Sequence, residues 1–329
     1  MAAPDKVYLS FDLGGTKMYC AVLDNDHKII TTDRRKTQGH LKGEDIYARI
    51  IDCIETAVSN SGVKQKQIAG LGMAAPGPLD PATGVILDSP NMGLDHFPLG
   101  DRLRKDLGIP VLIENDVNAG IFGEYVHGCA AGYRYVIGLF PGTGLGGGIV
   151  IDGRIYRGAT GNAGELGHMT INPDGPLCGC GKYGCLEAYA SRSAIVKDIA
   201  ALAAAGKSPT VLAKAGTDMK KIKSNLIKAA MDAGEEPVRQ IVERSARFLG
   251  IGMANCVNIF SPELIVLGGG LVEKLGKEYI DTAEAAMREY AMAFTVKDVK
   301  VKAATLGDDA AIMGAAALIR GHLDQKKGN

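Results

Sequence analysis

Apolar positions along this chain keep changing their period, and the changes mark its elements. "KVYLSFDLGG", "MYCAVLD" and "KIITTDRRKT" are β-branched runs bounded by turns, which predict three strands in an antiparallel meander. In "GEDIYARIIDCIETAVSNSG", Ile46, Ile50, Cys53, Ile54 and Ala57 recur at helical spacing. "IAGLGMAAPGP" and "VLIEND" predict strands that end in loops, and "YRYVIGLFPGTGLGGGIVIDGRIY" predicts a strand, a glycine turn and a second strand. A cysteine-rich loop follows. Residues Ala188 to Phe260 read as mainly helical, with the polar, lysine-bearing stretch from Lys207 to Glu236 expected at the surface. "ELIVLGGG" is a buried strand ending in glycines, Leu271 to Tyr290 a helix, "VKVKAATLG" a strand and "DDAAIMGAAALIRGHL" a small-residue helix that closes the fold. Strands and helices alternate, so the fold class is α/β. No low-complexity linker and no 20–50-residue repeat shows.

One pattern occurs twice. Strand, Asp-x-Gly-Gly-Thr, strand at 8–23 and strand, Gly-Thr-Gly-x-Gly-Gly-Gly, strand at 135–151 are both glycine hairpins. Backbone amides exposed in such turns bind anions, because their N–H groups converge and no Cβ blocks the approach. Asp12 beside Gly14, Gly15 and Thr16 adds an acid able to hold a magnesium hydration shell, while the Thr16 hydroxyl and Lys17 can meet phosphate oxygens. Either turn alone is equally well a tight hairpin. Both together with Gly142, Thr143 and Gly144, and with a third cluster at Gly268, Gly269 and Gly270, point to a nucleotide held in a clamp. Two commoner nucleotide motifs fail on context. Gly142-x-Gly144-x-x-Gly147 is followed by "GIVIDGRIY", which is strand-like where a dinucleotide fold needs a helix. "AGKS" at 205–208 would need a glycine where Ala201 stands within a helix.

Composition narrows the field. With 329 residues, two domains are the prior expectation. Lysine plus arginine and aspartate plus glutamate number 37 each, and no long run of one sign occurs, so neither nucleic acid nor a membrane surface is an expected partner. The N-terminus has no basic region followed by an apolar one, and no stretch reaches about 18 apolar residues. A soluble, cytoplasmic protein is expected.

The loop "GHMTINPDGPLCGCGKYGCLE" carries the densest chemistry. His168, Cys178, Cys180 and Cys185 supply one nitrogen and three sulfurs, the ligands tetrahedral zinc prefers, and four protein ligands would close the shell of a structural metal. A disulfide is disfavoured in the cytoplasm, and unligated cysteines leave the histidine unexplained. Cys20, Cys53, Cys129 and Cys256 sit in apolar periodic segments and read as small core residues. Glu165 and Glu187 flank the metal ligands, and two fixed carboxylates suit a polyol, though solvated loop acids are the plainer reading. Asn115-Asp116 follows "VLI" at the end of a predicted strand, where α/β folds collect ligands, or else caps the helix "VNAGIFGEYVHG".

Taken in order, Asp12-Leu-Gly-Gly-Thr-Lys17, Glu114-Asn-Asp116, Gly142-Thr-Gly144, Gly164-Glu-Leu-Gly-His-Met169, Cys178-Gly-Cys180-Gly-x-x-Gly-Cys185-x-Glu187 and Gly268-Gly-Gly270 resemble the ROK family of sugar kinases and repressors, within the actin-like ATPase superfamily. The resemblance runs from about Val7 to Arg320. It implies a two-lobed actin-like ATPase (ribonuclease H-like) fold with a central cleft. A small lobe of residues 1–117 plus about 308–329, and a large lobe of 118–307 with the zinc loop 167–187, are expected. ATP with Mg2+ would lie between the glycine turns and a hexose deeper down. Asp116 would be the general base; Gly77, Asn91, Asn115, Glu165, His168 and Glu187 would meet the sugar, with His168 also on the Zn2+. Glucose is the expected hexose, and N-acetylmannosamine, N-acetylglucosamine, fructose or allose could replace it. A homodimer or homotetramer is expected. ROK repressors carry an N-terminal helix-turn-helix; here the first strand begins near residue 6, which disfavours that alternative.

Overall fold

A computed structural model describes residues 6–89 and 92–328. By internal contacts the chain forms two compact units, Met1–Ala131 with Ile155–Ala163 and Thr305–Asn329, and Gly132–Arg154 with Gly164–Ala304.

In the first unit, β1 (Val7–Leu13), β2 (Lys17–Leu23) and β3 (Ile29–Lys36) make the expected antiparallel meander. β4 (Ile68–Ala75) pairs parallel with β1. A short ribbon of β5 (Leu79–Asp80) and β6 (Val85–Ile86) follows it, and β7 (Val111–Asn115) pairs parallel with β4, giving the order β3-β2-β1-β4-β7. β1 is buried on both faces because helices cover both. On one side α1 (Gly43–Ser61) places Ile46, Ile50, Cys53, Ile54 and Ala57 in a core with Leu9, Phe11, Leu71 and Met73, and α2 (Leu99–Leu107) adds Leu99 and Leu103. On the other, Ser10 donates to the Ile312 carbonyl at 2.6 Å from the C-terminal helix α11 (Ala310–Gly328). α11 packs on α3 (Asp116–His127) so closely that a Cβ at Gly123 or Gly314 would enter the partner's backbone, at Ala310 and Ala119 respectively. That contact explains the small residues of "GAAAL". It also puts α3 in the first unit, so the unit extends past the expected boundary at 117.

The second unit repeats the arrangement. β8 (Tyr135–Pro141) and β9 (Leu145–Ile151) are antiparallel, β10 (Arg154–Ile155) lies beside β9, and β11 (Leu264–Leu267) and β12 (Lys300–Ala303) add in parallel, giving β10-β9-β8-β11-β12. Position for position this is the order of the first sheet. α4 (Glu187–Ala190), α5 (Arg192–Ala204), α6 (Pro209–Ala215), α7 (Ser224–Asp232), α8 (Glu236–Phe260), α9 (Gly269–Tyr290) and α10 (Ala293–Val296) complete the unit. The stretch Lys207–Glu236 is not merely surface. Its lysines face out, but Val211 and Ala215 of α6, Ile227, Ala230 and Met231 of α7, and Ile222 between the two helices enter the core. The Glu235 carboxylate, accepting from Ser208 Oγ at 2.5 Å and Thr210 N–H at 2.7 Å, fixes the start of α6. α9 begins two residues earlier than expected and breaks at Gly276, with φ 67°. Cys20, Cys53 and Cys256 are buried as expected, whereas Cys129 is only partly so. Among the described residues no helix is long and apolar enough to cross a membrane.

Candidate active site

Register brings four of the expected residues to one edge of the first sheet. Asp12 pairs with Ala74 and Asn115 with Ala75, so Asp12, the loop after β4 with Gly77, and the Asn115–Asp116 corner all lie at the C-terminal ends of the parallel strands β1, β4 and β7. This is the edge at which open α/β sheets bind ligands. A Cβ on Gly77 would sit 3.1 Å from Asn115 Nδ2, so the glycine lets the asparagine amide lie against the backbone. Asn91 lies outside the described residues.

Asn115 performs the capping duty that the sequence left open to aspartate. Its Oδ1 accepts the N–H groups of Val117 at 2.9 Å and Asn118 at 3.1 Å, while Asp116 Oδ1 accepts from Val117 at 2.9 Å. With the cap made by its neighbour, Asp116 is not required for it. Burial pushes the Asp12 carboxyl up to about 7; the charge of Asp116 adds to this and Lys17 opposes it. Two carboxylates therefore share a poorly solvated edge, a place that welcomes a cation.

The β1–β2 turn is built to present N–H groups. Its carbonyls are drawn back into the protein, Gly14 O by Thr37 Oγ1 at 2.5 Å and Thr16 O by Thr37 N–H at 2.9 Å, while the tip Gly15–Thr16–Lys17 is exposed. Lys17 is expected to meet phosphate, yet it pairs with Asp308 at 2.6 Å, so a phosphate would have to compete for it. The β8–β9 turn is handled the same way in the second unit. Gly142 O accepts from Arg192 N–H at 2.9 Å, and Thr143 O from Ser193 Oγ at 2.7 Å, at the start of α5. Thr143 Oγ1 accepts from Arg192 Nη2 at 2.5 Å, and a Cβ at Gly144 would collide with the Glu187 carboxylate. Removing carbonyl oxygens from the tip leaves a surface suited to an anion. Gly268 and Gly269 open α9, with φ 83° at Gly269. Thr37, Arg192 and Ser193 carry no motif, and their spacing along the chain does not reveal that they hold these turns.

The cysteine loop is a compact knuckle. Thr170 bridges to Cys185 and Leu177 to Tyr183, Cys178 N–H reaches Lys182 O at 2.8 Å, and Gly184, at φ 72°, passes so near Asn172 O that no side chain would fit. The ligand atoms of His168, Cys178, Cys180 and Cys185 all lie within 4.8 Å of one another. Cys180 and Cys185 sulfurs are 3.7 Å apart, as are Cys178 Sγ and His168 Nδ1. Bonds of about 2.0–2.3 Å to a tetrahedral zinc put ligand atoms roughly 3.6–3.8 Å apart, so the four fit that metal. The other imidazole nitrogen, Nε2, faces Glu165 at 4.0 Å, the carboxylate partner that ligating histidines commonly keep. Glu165 is exposed. Glu187 is less free than expected, because its Oε2 accepts the Leu145 N–H at 2.8 Å and its Oε1 lies 3.4 Å from Cys178 Sγ.

The ROK family pattern matches residues 8–322. The chain belongs to the ROK family. It is 33% identical over 320 residues to a glucokinase of Halalkalibacterium halodurans, with 96% of each chain covered. A crystal structure of a ROK family glucokinase from Streptomyces griseus, in complex with glucose and AMPPNP, matches with a TM-score of 0.81 at 33% identity, over 96% of this chain and 99% of that one. The family is wider than kinases: a xylose repressor of Caldicellulosiruptor bescii is 32% identical over 276 residues, 84% of this chain and 68% of the repressor. The family read from the motifs is thus borne out, and so is the actin-like ATPase fold.

Proposed function

We propose that this ROK protein transfers the γ-phosphoryl group of ATP to the primary hydroxyl of a hexose, glucose above others, giving glucose 6-phosphate. The observation that carries this is the shared strand edge: Asp12 next to a turn whose Gly14 and Thr16 carbonyls are turned away, and Asp116 beside the Asn115 cap at the end of β7. Similarity over nearly the whole length to glucokinases, one of them solved with glucose and AMPPNP, supports the same reading.

In this reading Asp116 takes the proton as the hexose oxygen bonds to the γ-phosphorus and the bond from phosphorus to the β-bridging oxygen breaks, releasing ADP. Asn115 can offer Nδ2 to a hydroxyl because its Oδ1 is already engaged in the cap. Backbone N–H groups at the turn tips, Gly15 and Thr16 in one and Thr143 and Gly144 in the other, with Gly269, would hold the nucleotide phosphates, while the N–H groups of Gly14, Gly142 and Gly268 brace the turns by donating to Lys17 O, Gly144 O and Leu139 O. Asp12 would orient water on the Mg2+ that accompanies ATP, which supplies charge neutralisation at the phosphates. Glu165, His168 Nε2 and Glu187 would accept from or donate to sugar hydroxyls, and Gly77 would let backbone approach the ring; Asn91 belongs to the same set. The reading requires that the hexose be met by these groups and by Asp116 at once. Zinc on His168, Cys178, Cys180 and Cys185 would supply a fixed geometry to that loop.

A homodimer or homotetramer is part of the proposal, supported by Ile259, Tyr290, Met292 and Phe294, large apolar side chains that remain exposed. Light scattering tests it against the chain mass of 34.5 kDa. A cytoplasmic location fits thiols kept as metal ligands.

The test is a coupled assay of ADP release over glucose, fructose, N-acetylmannosamine and N-acetylglucosamine. Glucose should give the highest kcat/KM. Preference for an N-acetylhexosamine would replace the substrate, and ADP release indifferent to every sugar would overturn the kinase.

A further inference from the structure

Glu114 is a carboxylate that the reaction above does not use, and it is 1% exposed. Four donors surround it. Oε2 receives Arg157 Nε at 2.7 Å and Nη2 at 2.5 Å; Oε1 receives the Asn115 backbone N–H at 3.1 Å and Asn118 Nδ2 at 3.1 Å. A buried charge is costly unless every lone pair is answered, and here both oxygens are. Two of the donors belong to the corner that bears Asp116, since Asn115 precedes it and Asn118 lies in the first turn of α3.

Arg157 leads in the other direction. Its carbonyl accepts the Ala163 N–H at 3.0 Å, closing residues 157–163 into a loop, and Gly161 of that loop packs on Pro81, where a Cβ would press into the proline ring. A single guanidinium thus ties the backbone entering Asp116 to the loop 157–163, both within the first unit.

We propose that Glu114 and Arg157 are positioning residues: their ion pair, buried at the carboxylate and half-exposed at the guanidinium, holds the Asn115–Asp116 corner of the first unit in one fixed register, so that the proton acceptor and the Asn115 amide stay aligned on the hexose. This rests on the kinase reading. Neither residue touches a reacting atom. Arginine is suited to the task because its planar fork places two N–H groups on one carboxylate oxygen in a fixed plane, which a lysine cannot do.

The experiment compares wild type, Arg157→Lys, Arg157→Ala, Glu114→Gln and the double variant Glu114→Gln/Arg157→Ala in hexose-dependent ADP release, each with its thermal melt. A misplaced catalytic corner should lower kcat about 10–100-fold and raise the hexose KM, with the ATP KM held within about twofold. The double variant should be no worse than the worse single one, because the pair acts as one unit. Arg157→Lys, which keeps the charge and is the variant surest to fold, should lose part of the same kcat. Variants that melt earlier but retain wild-type kcat and hexose KM at a temperature where they are folded would show a purely structural pair and overturn the inference. Additive losses in the double variant would overturn it also. The wild-type control separates the two readings: a wild type that turns over no hexose defeats the kinase and this inference with it, whereas active wild type with unaffected variants defeats this inference alone.

Discussion

Glu187 Oε2 accepts the backbone N–H of Leu145 at 2.8 Å, and this bond joins the end of the cysteine knuckle to the β8–β9 glycine turn. Glu187 stands two residues past Cys185, and Leu145 directly after Gly144. Within the second unit the candidate metal centre and the candidate phosphate turn are therefore parts of one hydrogen-bonded piece.

Disordering the knuckle should then be felt on both substrates. Cys180→Ser, or chelation of the metal, is expected to weaken hexose affinity about 10–100-fold, as losses at metal shells do. The ATP KM should rise as well. Metal content by mass spectrometry and both KM values check this; active protein with a zinc content near zero, or an ATP KM that stays constant while the hexose KM rises, would count against the link.

Asp116→Ala should abolish most turnover while the hexose still binds. Loss of a general base costs about 10²–10⁴-fold in kcat, whereas the sugar Kd, followed by titration calorimetry, should move only a few-fold. Near-normal rates would refute the role given to this carboxylate.

The edge carboxyl of Asp12 makes stability depend on pH in a definite direction. Its folded value, about 7 against 3.8 in its ordinary state, means the native protein holds the proton more tightly than the unfolded chain. The stability this brings is complete below about 3.8 and lost as pH rises through about 7. Asp12→Asn has no proton to lose. Melting temperatures without nucleotide should therefore favour the variant more at pH 8 than at pH 5, and a difference flat in pH would contradict the assigned cause.

Gly314→Ala should destabilise the first unit. The new methyl meets the Ala119 backbone, which a flexible side chain cannot relieve. Overpacking of this kind costs about 1–3 kcal/mol, or roughly 3–10 °C in Tm for a unit of this size. An unchanged melt would mean that α3 and α11 separate readily.

Much of this was legible in the chain because it is local. The meander, the α1 stripe and both glycine hairpins are set by neighbouring residues, and the knuckle ligands lie close in sequence. The hairpins recur in two sheets of the same strand order, a repeat that the sequence showed only at the turns themselves. The misreadings come from distant partners. Lysines between Lys207 and Glu236 masked an inward stripe, and nothing near Ser208 announces that Glu235 will anchor it. Asn115 and Asp116 are both good caps, and which one serves is decided by the geometry at the end of β7. Thr37, Ser193 and Arg157 act through contacts that only the folded chain creates.

α11 is made after the whole of the second unit, yet Ile312, Ala315, Ala316 and Ile319 are fully buried in the first. As the chain leaves the ribosome, the sheet begun by β1 must wait with one face uncovered until residues beyond 305 emerge. The second unit has all its parts sooner. A nascent chain halted before α11 should thus hold a finished half and an unfinished one, and bind chaperones through the latter.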